Sequence, residues 1–182
     1  MADWVIFGGG GHARVVADAI KLTGENVIAY FDDNKSLAFI NDIPVYPYNE
    51  NIAMRASIIV GIGNNELRRN ISKRIAHSFK TVIHPKAIIA GDVIIGEGSV
   101  ILAGAVIQSG AVIGRHVVIN ANVTIDHDAQ IGDYCSIYPN AYIGGEARIG
   151  AGVTVNACTA VARLTQIPGI LVTDDVVELD LY

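Results

Sequence analysis

The fold is decided by a repeat in the second half of the chain, which contains the stretch Ile95-Gly96-Glu97-Gly98-Ser99-Val100-Ile101-Leu102-Ala103-Gly104-Ala105-Val106-Ile107. Outward from this stretch, a large aliphatic residue occupies every sixth position from Ile89 to Ile167. A small or β-branched residue follows four positions later, from Val93 to Thr165. An α-helix would scatter these aliphatic residues, because six residues advance it by about one and two-thirds turns. Short strands forming the three sides of a prism keep them all inside, so the repeat predicts a left-handed parallel β-helix.

Glycine, Asn and Asp fill many of the positions between the aliphatic residues. These residue types adopt positive φ more readily than others, so we expect them at the corners of the prism. An ordinary β-sandwich would need a period of two and turns of variable length, which this part of the sequence lacks. The glycines expected at corners are Gly96, Gly98, Gly114, Gly132, Gly150 and Gly152.

The first 84 residues follow a different pattern, in which apolar runs at 4–7, 27–31, 57–60 and 81–83 alternate with amphipathic helices. This alternation predicts an α/β domain with an abbreviated Rossmann-like parallel sheet. The expected domains are therefore 1–84, the β-helix at 85–167 and an atypical tail at 168–182. The residues expected on the apolar helix faces are Val15, Val16, Ala19 and Ile20 in the first helix and Leu67, Ile71 and Ile75 in the second. The basic residues expected on the solvated face of the second helix are Arg68, Arg69, Lys73 and Arg74.

Two motifs of the α/β domain are placed to bind a ligand. Gly8-x-Gly10-x-x-Ala13 follows a strand and opens a helix, so its amides can face a pyrophosphate. Asp32 and Asp33 end the next strand, about twenty residues on, where an acidic group can meet a ribose or a base. Each motif has an alternative interpretation without a ligand. The glycines can serve only the close packing of the turn, and Asp32 and Asp33 can form an ordinary solvated turn. The chain is too short for a dinucleotide fold plus a hydride-transfer domain, which favours a nucleotide-sugar over NAD.

Composition narrows the classes of function. The net charge of −5 disfavours general nucleic-acid binding, which relies on basic surface. No apolar run reaches the roughly 18 residues of a membrane span, and the start of the sequence lacks the features of a secretion signal. Cys135 and Cys158 lie in no metal-ligand spacing and form no disulfide framework, so we expect a cytoplasmic protein without a bound metal.

His127 is the strongest catalytic candidate among the five histidines. It lies two positions after the inward Ile125, at an outward or corner position beside Asp128, whose carboxylate can fix the imidazole tautomer and favour its protonation. His77 is expected at the surface, and His116 at a corner with no acidic neighbour. Periodicity alone is equally compatible with His127 being an ordinary surface histidine.

Five motifs, in a common order over about residues 3–160, make the chain resemble the NeuD/PglD group of bacterial sugar acyltransferases. The motifs are Phe7-Gly8-Gly9-Gly10-Gly11-His12, Phe31-Asp32-Asp33, Gly61-Ile62-Gly63-Asn64-Asn65-x-x-Arg68, Ile83-His84-Pro85 and Asn120-Ala121-Asn122-x-x-Ile125-Asp126-His127-Asp128.

The resemblance implies a homotrimer whose active sites lie between neighbouring β-helices, with acetyl-CoA in the groove between them and a nucleotide-linked amino sugar on the N-terminal domain. His127 matches the general base and Asp128 the acidic residue that orients it. Gly145 matches the glycine whose amide faces the thioester oxygen, and Asn120 an asparagine beside the acceptor. The residues implied for the nucleotide-sugar site are Gly10, Gly11, His12, Asp32, Asp33, Gly63 and Asn64.

The implied reaction is N-acetylation of a nucleotide-linked 4-amino-4,6-dideoxy sugar by direct transfer from acetyl-CoA. No acyl-enzyme is expected, since Cys135 is predicted to point inward. Two alternatives stay open: O-acetylation of a sialic acid or similar sugar by the same base, and a non-catalytic β-helix that binds sugar-nucleotides or serves as a scaffold. The sequence does not choose between UDP, GDP and dTDP. Residues 168–182 depart from the family's closing Gly-x-Pro-Ala segment, so we expect CoA binding to be weaker or differently organised.

Overall fold

An α/β domain forms the N-terminal part of the chain in the computed structural model, which describes residues 2–170. Its elements are β1 (Asp3–Phe7), α1 (Gly11–Leu22), β2 (Asn26–Phe31), β3 (Phe39–Ile40), β4 (Ile43–Tyr46), β5 (Ser57–Val60) and α2 (Asn65–Ser72). The sheet has the order β3-β4-β2-β1-β5 and is parallel except for β3, which pairs antiparallel with β4. The carboxyl ends of β1, β2 and β5 therefore lie at one edge of the sheet, next to residues 8–11, here named the glycine-rich loop.

Helix packing differs from the predicted faces at two residues. In α1, Ala13, Val16 and Ile20 are buried against the sheet, whereas Val15 is largely exposed. In α2, Leu67 is exposed and the neighbouring Arg68 is buried, so the buried face is rotated by one residue. Asn64 caps α2, because its Oδ1 accepts a hydrogen bond from the Leu67 amide at 2.8 Å.

Residues 82–167 form a parallel β-helix with three faces, here named A, B and C, of five strands each. Successive strands of one face lie 18 residues apart and pair in register, so one coil comprises three hexapeptides. Face A comprises β6 (Val82–Ile83), β9 (Val100–Ile101), β12 (Val118–Ile119), β15 (Ser136–Ile137) and β18 (Thr154–Val155). Face B comprises β7 (Ile88–Ile89), β10 (Val106–Ile107), β13 (Thr124–Ile125), β16 (Tyr142–Ile143) and β19 (Ala160–Val161). Face C comprises β8 (Ile94–Ile95), β11 (Val112–Ile113), β14 (Gln130–Ile131), β17 (Arg148–Ile149) and β20 (Gln166–Ile167).

From β7 to β20 the second residue of each strand points inward, and in the middle coils these residues and the small residues between them form one apolar column. In β6 the first residue, Val82, is buried and the second, Ile83, is exposed. The predicted fold class, an α/β domain followed by a hexapeptide β-helix, is confirmed. One strand assignment is wrong, because Val82–Ile83 pairs with Val100–Ile101 and opens the β-helix instead of extending the α/β sheet. The division at residues 84 and 85 stays a prediction.

Corners of the β-helix use two kinds of residue. From Gly98 to Leu164 every sixth residue has positive φ, and Asn, Asp and even bulky residues join glycine at these positions. Gly114 serves a different purpose: a Cβ on it would lie 2.7 Å from the Asp133 amide nitrogen of the next coil, so glycine permits close stacking. Gly96, Gly132 and Gly150 are equivalent. The positive-φ residues are Gly98, Gly104, Gly110, His116, Asn122, Asp128, Tyr134, Asn140, Glu146, Gly152, Cys158 and Leu164.

The two domains share a hydrophobic core. Trp4 and Ile20 of the α/β domain pack in one cluster with Val82, Val100 and Leu102 of the β-helix. Among residues 2–170, no helix is long and apolar enough to cross a membrane. Most of the tail expected at 168–182, from residue 171 onward, lies outside the described residues.

Candidate active site

His127 lies at the edge between faces B and C, here named edge BC. Its Nδ1 is 2.9 Å from Oδ2 of Asp128, and the side chain is 47% exposed. Because a carboxylate oxygen accepts a hydrogen bond, the neutral imidazole carries its proton on Nδ1 and keeps a lone pair on Nε2. This hydrogen bond, supported by the charges of Asp126 and Asp128, raises the pKa of His127 above its ordinary value.

A second carboxylate holds the turn that carries His127. Asp126 Oδ1 accepts a hydrogen bond from the His127 amide at 2.7 Å, and its Oδ2 accepts one from the Tyr142 hydroxyl at 2.9 Å. These two hydrogen bonds keep the pKa of Asp126 below its ordinary value. The sequence motif contained Asp126, but its position before His127 did not indicate a role, and Tyr142 is brought in by the coil above.

Gly145 lies directly over the imidazole, one coil later. A Cβ placed on Gly145 would be 2.9 Å from Nε2 of His127 and 3.1 Å from Cε1. The Gly145 carbonyl accepts a hydrogen bond from the Leu164 amide, while its own N–H has no acceptor within residues 2–170. Gly145 therefore lies against the Nε2 edge of the imidazole, and its N–H is available to a ligand.

Asn120 lies at a different edge, between faces A and B. Its Nδ2 donates to the Ile137 carbonyl at 2.9 Å, a contact that joins it to the next coil. Face B, with the short strand β13, separates Asn120 from His127. The structure therefore brings His127, Asp128 and Gly145 together and places Asn120 at the opposite end of the same strand.

The glycine-rich loop is held by Asp32. The Gly9 amide donates to Asp32 Oδ2 at 2.6 Å, and the Asn34 amide donates to Oδ1 at 2.8 Å. Gly8 has a φ of 115°, and its amide donates to the Phe31 carbonyl at 2.7 Å. Asp32 thus shapes the loop through its two carboxylate oxygens.

Gly10 and Gly11 form the exposed start of α1. Gly10 is the N-cap residue and has no side chain to satisfy the first amides of the helix, so these are directed to the open space in front of it. His12 follows, with its Nε2 buried and without a hydrogen-bond partner within residues 2–170. Burial, together with the charge of Arg68, lowers the pKa of His12 to about 4, so the ring is neutral near pH 7.

The remaining residues expected at the nucleotide-sugar site have contacts inside the protein. Asp33 forms an exposed ion pair with Arg74 at 3.3 Å. Asn64 caps α2 through its side chain, and the Gly63 carbonyl accepts a hydrogen bond from Arg68 at 3.1 Å. Their roles toward a ligand stay predictions.

Two polar positions differ from the sequence-based prediction. Arg68, expected in solvent, is only 1% exposed, and burial lowers the pKa of its guanidinium to about 10. His77, expected at the surface, is buried between Tyr48 and Phe31, and its Nε2 lies 2.9 Å from the Ile52 carbonyl oxygen. In both cases a polar side chain was expected in solvent, whereas it has hydrogen-bond partners inside the protein.

His116 lies at a corner, as expected, and is buried. Burial and the nearby charges of Arg68 and Arg115 lower its pKa to about 4. Cys135 points inward, as predicted, and burial raises the pKa of its thiol to about 12. A thiol that stays protonated in the core is a poor nucleophile.

Other features of the described residues do not add to this site. A concavity of about 500 Å³ lies at the amino ends of β1 and β5, the opposite edge of the sheet from the glycine-rich loop, and is lined in part by Asp3, Met54, Arg55 and Lys80. Within residues 2–170, no group of three or more His, Cys, Asp or Glu is arranged to hold a metal ion.

Comparison with known proteins agrees with the two-part architecture. Residues 3–75 match the family described as the PglD N-terminal domain. Residues 94–127, 110–145 and 128–163 match the bacterial transferase hexapeptide family of six repeats.

A curated relative is UDP-N-acetylbacillosamine N-acetyltransferase from Bacillus subtilis (strain 168), which is 33% identical over 109 residues. That alignment covers 54% of this chain and 50% of the relative, so the chain spans about half the relative's length.

Two solved structures are similar over most of the chain. The acetyltransferase domain of PglB from Neisseria gonorrhoeae FA1090 is 30% identical, with a TM-score of 0.67 over 91% of this chain and 88% of that one. A histidine-to-alanine mutant of GDP-perosamine N-acetyl transferase from Caulobacter crescentus, in complex with CoA and GDP-perosamine, is 27% identical, with a TM-score of 0.77 over 98% and 97%. The chain therefore belongs to the NeuD/PglD-like family of hexapeptide-repeat sugar acyltransferases.

Proposed function

We propose that this protein transfers the acetyl group of acetyl-CoA to the amino group of a nucleotide-linked 4-amino-4,6-dideoxy sugar, with His127 as the general base. The observation that carries the proposal is the geometry at edge BC. Asp128 is hydrogen-bonded to Nδ1 of His127, so the basic Nε2 stays available; it lies against Gly145, whose N–H has no acceptor within residues 2–170. Amine acetylation needs such a base, and a free backbone N–H close to it can serve as the oxyanion donor.

The chemistry follows from the state of the acceptor. A sugar ammonium has no lone pair and must lose a proton before or during its attack on the thioester carbonyl. Neutral His127 accepts that proton at Nε2, and the Asp128 carboxylate stabilises the imidazolium that results. The N–H of Gly145 donates to the oxyanion of the tetrahedral intermediate, which then expels the CoA thiolate. Transfer is direct, since the Cys135 thiol is buried and protonated.

The α/β domain supplies the nucleotide site in this proposal. The uncapped start of α1 at Gly10 and Gly11 suits the diphosphate, because helix N-termini bind anions through their free amides. His12, Asp32, Asp33, Gly63 and Asn64 surround this point in the motifs of the family. Two relatives support the acceptor class: one is named for a UDP-linked sugar and one for GDP-perosamine, so the nucleotide itself stays open.

A homotrimer with active sites between subunits fits the exposure of these groups. His127 is half exposed on a convex edge, and Asn120 lies at another edge of the same prism. A thioester placed there needs a second wall to exclude water, and a neighbouring β-helix provides one. CoA and acetyl-CoA are bound in structures of two relatives, which supports acetyl-CoA as the donor.

The function is tested by measuring CoA release from acetyl-CoA with UDP-, GDP- and dTDP-linked 4-amino-4,6-dideoxy sugars, with free sialic acids in parallel. Formation of an N-acetylated nucleotide-sugar supports the proposal. Turnover of sialic acid alone would contradict the proposal and identify the reaction as sugar O-acetylation. Saturable binding of a nucleotide-sugar without any acetyl transfer would identify a non-catalytic binding protein. Light scattering of the same preparation tests the trimer.

A further inference from the structure

Arg68 joins the α/β domain to the edge between faces C and A, here named edge CA. Its guanidinium donates through Nε to the His116 carbonyl at 2.8 Å and through Nη2 to the Tyr134 carbonyl at 3.0 Å. Through Nη1 it donates to the carbonyls of Ile62 at 2.9 Å and Gly63 at 3.1 Å. One side chain therefore binds two successive coils of the β-helix and the loop before α2.

Asn65 extends this contact to a third coil. Its Nδ2 donates to the Gly152 carbonyl at 2.8 Å, and its Oδ1 accepts hydrogen bonds from Arg68 at 2.8 Å and from the Ser136 hydroxyl at 2.6 Å. The three corner carbonyls bound by the pair occupy the same register in consecutive coils, at His116, Tyr134 and Gly152. We name this set of contacts the corner clamp.

Pairing with a negative charge does not explain why Arg68 is buried at this edge. Every hydrogen-bond acceptor it has within residues 2–170 is a carbonyl, a hydroxyl or the Asn65 amide oxygen, and none is a carboxylate. A buried cation without a counter-ion costs stability compared with an apolar residue, so its contribution here is geometric. The planar fork of five N–H donors reaches partners in several directions, which the single ammonium of lysine cannot do.

Aromatic residues reinforce the same edge. The rings of His116 and Tyr134 stack with centroids 5.2 Å apart and planes 3° apart, and Phe79 packs edge-on against His116 at 4.6 Å. Ser72 of α2 is hydrogen-bonded to the Tyr134 hydroxyl at 3.2 Å. Among the described residues, aromatic or imidazole side chains take the positive-φ corner position at edge CA only.

Residues 61–63, which the corner clamp holds, pack against the glycine-rich loop and the start of α1. The Gly61 amide donates to the Phe7 carbonyl at 2.8 Å, and a Cβ on Gly61 would lie 2.9 Å from Cβ of Ala13. A Cβ on Gly8 would lie 3.0 Å from Cγ1 of Ile62. Residues 61–63 are in close contact with Gly8 and Ala13, so a shift of residues 61–63 moves the start of α1.

We infer that Arg68 and Asn65 are positioning residues: the corner clamp fixes the glycine-rich loop relative to the β-helix, so that an acceptor bound at the loop reaches the transfer site in one orientation. This inference rests on the proposed function. It also explains why Asn65 and Arg68 follow Gly63 in the sequence motif, since the side chains of both residues contact the β-helix.

The experiment compares two acceptors in Arg68→Lys, with Arg69→Lys as the matched control one residue along α2. The acceptors are the nucleotide-linked amino sugar and the same amino sugar without the nucleotide, which does not use the glycine-rich loop. In Arg68→Lys we expect kcat/KM for the nucleotide-linked sugar to fall by about 10- to 100-fold, the cost of misplacing a substrate by about 1 Å. Transfer to the free sugar and the KM for acetyl-CoA should stay within about twofold of the wild type.

Asn65→Ala keeps Arg68 and the Asn64 cap, and it should produce the same split between acceptors with a smaller loss. Equal losses of kcat/KM with both acceptors would overturn the inference, because the corner clamp would then be a general stabilising contact. An unchanged kcat/KM with both acceptors would overturn it as well.

Hydrogen exchange separates a failure of this inference from a failure of the proposed function. If the wild type transfers no acetyl group, the proposed function fails. Faster exchange of residues 61–67 in Arg68→Lys, with unchanged exchange in the β-helix, would still support a clamp that fixes the loop. Unchanged exchange at 61–67 would overturn it.

Discussion

Gly145→Ala places a methyl group against the proposed catalytic base. The new Cβ would lie 2.9 Å from Nε2 of His127, whereas ordinary contacts begin near 3.4 Å, so the imidazole must move by about half an ångström. The ring is the mobile end of an exposed side chain, and Gly145 does not have positive φ, so the fold accommodates the change. Catalytic groups work within a tolerance of about 0.5 Å, so we expect kcat to fall by about tenfold or more.

The assay is steady-state acetyl transfer to the nucleotide-linked amino sugar, with thermal unfolding measured on the same preparations. Gly91→Ala is the matched control, because Gly91 has the same register at edge BC and nothing lies within 4 Å of its added Cβ. We expect unchanged KM for the nucleotide-sugar and an unchanged Tm in both variants, with kcat lowered only in Gly145→Ala. Wild-type kcat in Gly145→Ala would refute the placement of Nε2 at the reacting atoms.

Four further outcomes follow from the site. His127→Ala should lower kcat by about 10²- to 10⁴-fold while calorimetry still detects nucleotide-sugar binding, and a wild-type kcat would remove His127 from the mechanism. Activity should be lost as the pH falls through the pKa of His127, with a midpoint above the ordinary value of 6.5, because only the neutral ring accepts a proton. Asp128→Asn should move that midpoint to lower pH, since the hydrogen bond to Asp128 is the largest cause of the raised pKa; an unmoved midpoint would contradict this assignment. Asp32→Ala should weaken nucleotide-sugar binding by about tenfold, because the Gly9 amide loses a charged acceptor, and acetyl-CoA binding should not change. Equal weakening of both ligands would point to a general loss of structure.

The local parts of the site follow from the sequence. A hexapeptide period places every aliphatic residue inside a three-sided prism, and it also implies that residues 18 positions apart are neighbours in adjacent coils. The stacking of Gly145 on His127 is such a pair. Asp128 is adjacent to His127 in the chain, so their hydrogen bond needs no long-range contact.

Only the tertiary structure decided the placement of polar residues whose partners lie far away in the chain. The sequence pattern predicts Arg68 on the solvated face of α2, because charged residues are usually exposed to water. Its partners at Tyr134 and Cys135 are carbonyls in corners more than sixty residues away, and backbone carbonyls leave no pattern in a sequence. His77 was misplaced for the same reason, since its Nε2 lies beside the Ile52 carbonyl oxygen. The periodic aliphatic residues determined the architecture because burial depends on side-chain type, whereas the contacts of Arg68 with the β-helix depend mainly on backbone carbonyls, which every residue carries.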